Sequence, residues 1–247
     1  MGIAFRFEIA TRAFLGLAAL LVVANQSPRA NQAVPISEEH HHHLVMENEY
    51  VRVYEVEVPA HEATLMHQHD RDYVYIVIGD ADVTNQVQGK QGAKLHLSDT
   101  AVNFSKGPFA HVATNDGGKP FRNVTIELLK PQGDVKVFAP SLNAALESVK
   151  PDSAGAGVKD APILETGELR VSAVEISGKG TWKPAEQKPR LTLQLYKLDE
   201  LIDSRIFPSA MKVGALPYGF EWVDGGIEQI HGLRDGVKLK ILAVEFR

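Results

Sequence analysis

The stretch Leu65-Met66-His67-Gln68-His69-Asp70-Arg71-Asp72-Tyr73 holds the residues best suited to chemistry. Two histidines one residue apart project from the same side of a β-strand, so His67 and His69 present their imidazoles together. Neutral imidazole nitrogens bind zinc, iron, nickel or copper, and a metal site built on them recruits further histidines or carboxylates. Asp72, just downstream, and His111, on a later segment, are the nearest candidates. The competing reading makes His67 and His69 surface residues of an edge strand. The chain has no cysteine, which removes thiolate sites, iron–sulfur clusters, disulfides and a cysteine nucleophile; any metal is held by nitrogen and oxygen.

Other histidines have weaker claims. His40-His41-His42-His43 is a short internal tract that reads as a solvated loop able to bind metal loosely, and it is left out of the expected site. His61, His96 and His231 stand alone and read as solvated or core-edge residues. Tyr73, Tyr75 and Glu127 have even claims to line a cavity, since strand facing is not fixed by local sequence. Trp182, Tyr218, Phe220 and Trp222 read as core or interface aromatics.

Composition bounds the rest. The 247 residues are 44% hydrophobic and 23% charged, a globular balance, and a net charge of −5 argues against a nucleic-acid binder. No G-x-S-x-G, P-loop, G-x-G-x-x-G or H-E-x-x-H is present, so hydrolase elbow, nucleotide and zincin readings lack support.

The elements that must position the histidines follow from hydrophobic alternation. Residues 1–24 read as a signal peptide: Arg6 and Arg12 precede an apolar run, Ala13 to Ala24, too short for the roughly 20 residues of a membrane span. Residues 25–35 are a polar, flexible lead-in with Pro28 and Pro35. From Tyr50 alternation begins, with Val51 and Val53 and then, after a phase break, Val56 and Val58. Strand-like runs follow at 64–69, 73–78, 81–87, 93–97, 101–104, 111–114 and 121–129, separated by Gly/Asp/Asn/Pro turns, which predicts an all-β sandwich or barrel. Residues 141–150 predict one short helix capped by Ser141 and stopped by Pro151, with a linker to 160.

The halves superpose under one shift of 118 residues. Tyr50 to Val53 fall on Glu168 to Val171, Phe104 on Trp222, Gly107 on Gly225, and Val124 to Glu127 on Leu242 to Glu245. The same shift puts Ala185, Gln187, Arg190 and Gln229 opposite His67, His69, Asp72 and His111. The candidate ligands vanish together, which marks the first-half histidines as one unit.

These residues resemble the cupin superfamily, whose motifs are G-x5-H-x-H-x3,4-E-x6-G and G-x5-P-x-G-x2-H-x3-N. His67-Gln68-His69 matches the paired histidines, Tyr75 to Gly79 the closing strand and glycine, and His111 with Asn115 the end of the second motif. Asp72 stands in the place of the family glutamate, with Tyr73 at the other register. The resemblance implies tandem antiparallel β-barrels of the double-stranded β-helix, or jelly-roll, type. They are expected at 36–140 with the metal and at 161–247 in degenerate form. It also implies one divalent metal (iron, manganese, zinc, nickel or copper) on His67, His69, Asp72 and His111.

Two functions follow: a metal-dependent dioxygenase, isomerase or lyase acting on a small organic molecule, or a non-catalytic binder of metal or small ligand. The signal segment implies a periplasmic or secreted protein with no membrane span after cleavage. A homodimer is compatible with this organisation.

Overall fold

The structure is a computed structural model. It describes residues 32–149, 157–184, 186–195, 218–226, 229–232 and 236–247. The expected signal peptide, most of the lead-in, Ala185 and the linker residues 151–156 lie outside the described residues. Among the described residues no helix is long and apolar enough to cross a membrane.

The described residues are all-β apart from a 3-10 turn and one short helix. The first half runs β1 (Val34–Pro35), the turn (Ile36–Glu38), β2 (His42–Glu47), β3 (Val51–Val58), β4 (His67–His69), β5 (Tyr73–Ile78), β6 (Ala81–Val87), β7 (Ala93–Leu97), β8 (Val102–Ser105), β9 (Phe109–Asn115) and β10 (Phe121–Leu128). Then come β11 (Lys136–Val137), α1 (Leu142–Ser148), β12 (Val158–Glu165), β13 (Leu169–Ser177), β14 (Thr181–Trp182), β15 (Arg190–Leu195), β16 (Tyr218–Val223), β17 (Ile230–His231) and β18 (Lys238–Phe246). The helix starts where its cap predicts: the Ser141 hydroxyl accepts the Ala144 amide at 3.0 Å.

First-half strands form two five-stranded sheets, ordered β1-β4-β9-β6-β7 and β2-β3-β10-β5-β8. The large second-half sheet is ordered β11-β12-β13-β18-β15-β16. Its last five strands repeat the order of the second sheet of the first half, so the repeat read from the sequence is a repeat of topology. Pairing registers refine it. Val51 pairs with Leu128 and Leu169 with Phe246, as the 118-residue shift requires. Glu127, however, pairs with Tyr73 and Glu245 with Arg190, so the residue equivalent to Arg190 is Tyr73 and not Asp72. One residue fewer before β15 accounts for the difference.

The phase break in β3 also has a cause. Its pairing with β10 is continuous from Val51 to Val58, so no bulge is present. Instead the strand buries both faces in turn. Val51 and Val53 join a core shared with the second half, which includes Ile126, Leu142, Ile163, Val171, Leu193 and Val244. Tyr54, Val56 and Val58 face the interior of the first half, with Val77, Val83 and Phe121. A separate cluster around Ile176, Trp182 and Ile241 fills the second half.

The shared core makes Ala33–Arg247 one compact unit. Tyr50 stacks near Trp222 and Phe246, with centroids 5.4 and 5.3 Å away, and so adds an aromatic contact across the repeat. The boundary expected at 140 is also crossed by hydrogen bonding, because β11 pairs with β12 of the second-half sheet.

Candidate metal centre

Strand β4 alternates as its parity requires: His67 and His69 are buried and Gln68 is exposed. It pairs with β9 in a register that sets His67 directly opposite His111. The three histidines separated by up to 44 positions therefore meet on the inner face of one sheet.

Each ring nitrogen has a definable role. Nδ1 of His67 lies 2.9 Å from the Leu65 carbonyl oxygen, which can only accept, so Nδ1 carries the proton and Nε2 a free lone pair. Nδ1 of His111 donates in the same way to Asn85 Oδ1 at 2.7 Å. Nε2 of His69 stands 3.2 Å from Nε2 of both His67 and His111. Two lone pairs aimed at a third nitrogen at that distance are balanced either by a proton on His69 Nε2 or by a cation held between the three rings.

A cation fits the spacing. With metal–nitrogen bonds of about 2.1 Å, neighbouring donors stand about 3.0 Å apart at octahedral and about 3.4 Å apart at tetrahedral angles, and 3.2 Å lies between these limits. Nδ1 of His69 is buried without a hydrogen-bond partner, 3.9 Å from Glu127 Oε1. It is free to remain protonated while Nε2 coordinates.

Burial, reinforced by neighbouring imidazoles, keeps these rings neutral. His67 is pushed down to about 4, first by desolvation and then by the neighbouring His42 imidazole. Desolvation, followed by His67 and His42, pushes His111 down to about 3, and His69 is held well below the ordinary histidine range by burial, His67 and His111. Neutral imidazole is the form that binds metal. Glu127 is raised by burial.

Asp72 does not join the imidazoles. Its Oδ1 accepts the Gly107 amide at 3.0 Å, and its Oδ2 accepts the Gln132 amide at 3.1 Å. The side chain expected as a fourth ligand instead ties the β4–β5 turn to the segments entering β9 and leaving β10. Glycine at 107 is required there, because a Cβ would lie 2.5 Å from the Arg71 carbonyl oxygen. Asn115 likewise plays a structural part, donating through its buried amide to the carbonyls of Val58, Pro59 and Lys119.

The histidine tract corrects the sequence reading more sharply. It is not a solvated loop: His41 is buried and the His42 side chain is 6% exposed. His42 opens β2 and comes from the sheet facing His67, His69 and His111. Its ring centroid lies 4.6 Å from that of His67, and its ligand atom is within 4.8 Å of those of His67 and His69. Its Nδ1 meets Glu39 Oε2 at 2.6 Å. Burial alone would raise the Glu39 carboxyl, but hydrogen bonds from His42 and His41 hold it well below the usual carboxylate range. The available sequence signal was Glu39 immediately before the tract, but only the pairing of His42 with Val56 shows where β2 runs.

A cavity of about 90 Å³ opens beside the imidazoles. Val56, Val58, Val83, Leu95, Leu97, Phe109 and Phe121 supply its apolar wall, and Thr64, Asn85, Ser105, Asn123 and Thr125 its neutral polar groups. Tyr73 and Tyr75 both line it. The Tyr73 ring stacks on His69, with centroids 4.3 Å apart and planes 22° apart, and fixes that imidazole from the far side. Among the described lining residues none is Asp, Glu, Lys or Arg.

Among the described residues the second half shows no such arrangement. Gln187 and Gln229 are exposed. Arg190 is buried where the first half has Tyr73, and its guanidinium donates to the Gly226 carbonyl at 3.2 Å.

No protein-family model matches the sequence, and no curated protein matches it. Solved structures do. A putative glyoxylate-induced protein from Pseudomonas aeruginosa is 14% identical, with a TM-score of 0.53 over 83% of this chain and 77% of its own. A salicylate 1,2-dioxygenase from Pseudaminobacter salicylatoxidans is 9% identical, with a TM-score of 0.52 over 83% and 75%. A cupin domain from Bordetella pertussis is 22% identical over 35% of this chain and 90% of its own, with a TM-score of 0.34. The likeness to the first two structures is one of fold: this chain has the cupin-type jelly-roll architecture.

Proposed function

We propose that the first half holds one divalent transition metal on Nε2 of His67, His69 and His111 and acts as a metal-dependent enzyme on a small organic anion, of dioxygenase, isomerase or lyase type. The observation that carries the reading is the convergence of these nitrogens, with the Nδ1–H groups of His67 and His111 committed to fixed acceptors. When bound, the ion would supply Lewis-acid or redox chemistry.

The chain's own residues set the rest. Three neutral imidazoles leave the ion's charge uncompensated, and no Asp, Glu, Lys or Arg is among the described lining residues, so an anionic oxygen on the ligand completes the charge balance. The cavity measures about 90 Å³, so the enclosed part of the ligand is small. Val56, Val83, Leu97 and Phe121 exclude water, while Asn85 and Thr64 offer neutral hydrogen bonds.

A second reading is a non-catalytic binder of metal or small ligand. The observation favouring it is the lack of a carboxylate or an amine among the described lining residues.

Metal titration of the whole protein, followed by oxygen uptake and product analysis over phenolic and small-acid substrates, tests both. One ion per chain, lost in His67→Ala and His111→Ala and unchanged in Gln187→Ala and Gln229→Ala, is the expected result. A wild type that binds no ion sinks both metal readings, and stoichiometric binding without turnover leaves the binder. Export to a periplasmic or extracellular space is proposed on the apolar run ending at Ala24. A mature chain retaining Met1 would refute it.

A further inference from the structure

The geometry points to His42 as a fourth imidazole ligand of this centre, with Glu39 as the carboxylate that orients it and balances its charge. The assignment rests on the metal reading above and goes beyond it, because it replaces the expected oxygen ligand with a nitrogen from the opposite sheet.

The placement of His42 is the first support. Its Nδ1 is engaged by Glu39 Oε2 at 2.6 Å, so the remaining Nε2 carries a lone pair, as in His67 and His111. Its ligand atom lies within 4.8 Å of those of His67 and His69, and it lines the same cavity. Donors at about 2.1 Å from one ion stand at most about 4.2 Å apart, so a small inward shift brings such a nitrogen into a shared coordination sphere.

Glu39 supplies the second support. Its side chain is fully buried, and both oxygens are occupied. Oε2 accepts from the His41 amide at 2.9 Å as well as from His42, and Oε1 accepts from the His41 ring at 3.1 Å and the Leu65 amide at 3.2 Å. Leu65 is also the residue whose carbonyl oxygen accepts from His67. One carboxylate thus orients His42 directly and His67 through the backbone of a single residue, Leu65. A negative charge buried there without a cation nearby would be costly, and four neutral imidazoles around a dication leave a charge for it to balance.

Glu39, His40 and His41 also form a compact group of metal-binding types. With four donors on its two oxygens, Glu39 has no lone pair directed at a separate ion, and His40 is 62% exposed. The group therefore serves the imidazole centre. A four-nitrogen set without a carboxylate also narrows the ion, since imidazole suits copper, nickel, zinc and iron, whereas manganese and magnesium prefer oxygen.

X-ray absorption of the full chain loaded with zinc or copper, together with calorimetric titration of each metal, tests the assignment. Wild type should show four imidazoles per ion. His42→Ala should show three and bind at least tenfold more weakly. Glu39→Gln should weaken binding by about 10- to 100-fold, the usual effect of losing an outer partner of a metal-bound histidine. His43→Ala, at an exposed position in the same tract, should match wild type. If His42→Ala does not fold, the imidazole count of the wild type still decides. A wild type with three imidazoles, or a His42→Ala protein equal to wild type, overturns the assignment and leaves the three-histidine centre standing. A wild type that binds no ion removes both.

Discussion

The Asp72 carboxylate accepts the Gly107 amide at 3.0 Å, joining two turns that are 35 residues apart. With its other oxygen on the Gln132 amide, Asp72 satisfies two backbone donors that water reaches poorly. Asp72→Ala should therefore cost about 1–3 kcal/mol of stability, the range for leaving such donors unpaired. Metal stoichiometry should stay at the wild-type value. Denaturant midpoints and metal titration on the same preparation separate the two effects. Loss of metal without loss of stability would restore Asp72 as a ligand.

The core shared by the two halves predicts how the protein unfolds. Ile126 of the first half and Leu193 of the second are essentially inaccessible and belong to the same cluster. Truncating either to alanine should cost about 2–5 kcal/mol. Because the cluster is common to both halves, either change should shift a single transition followed by calorimetry and by near-ultraviolet dichroism. Two separable transitions, with only one moved by Ile126→Ala, would show that the halves unfold independently.

Tyr54 gives an alkaline limit. Burial, followed by the nearby Glu127 charge, pushes its phenol up to about 12 from an ordinary value of 10.0. The unfolded chain then loses this proton first as pH rises, so stability is full below pH 10 and is lost between pH 10 and about 12. Two pH units correspond to about 2.7 kcal/mol at most. Denaturant titrations across that range should show a steeper loss for wild type than for Tyr54→Phe. Equal slopes would mean that Tyr54 ionises freely in the folded state.

The sequence by itself determined the all-β class, the helix cap at Ser141, the repeat, and the joint orientation of His67 and His69. Each depends on local periodicity or on comparison along the chain: side chains two apart share a strand face wherever that strand lies. The repeat also singled out His111, because it was lost together with the other two.

Tertiary structure alone decided the rest. Strand pairing set His111 opposite His67, brought His42 across from the facing sheet, and turned Asp72 toward backbone amides. The same applies to β3, whose apparent phase break is the change from a core between halves to a core within one. In both cases the physical reason is that an imidazole, a carboxylate or a valine has the same local propensity whether it meets solvent, a metal or another sheet. Only the packing of distant strands chooses among those partners.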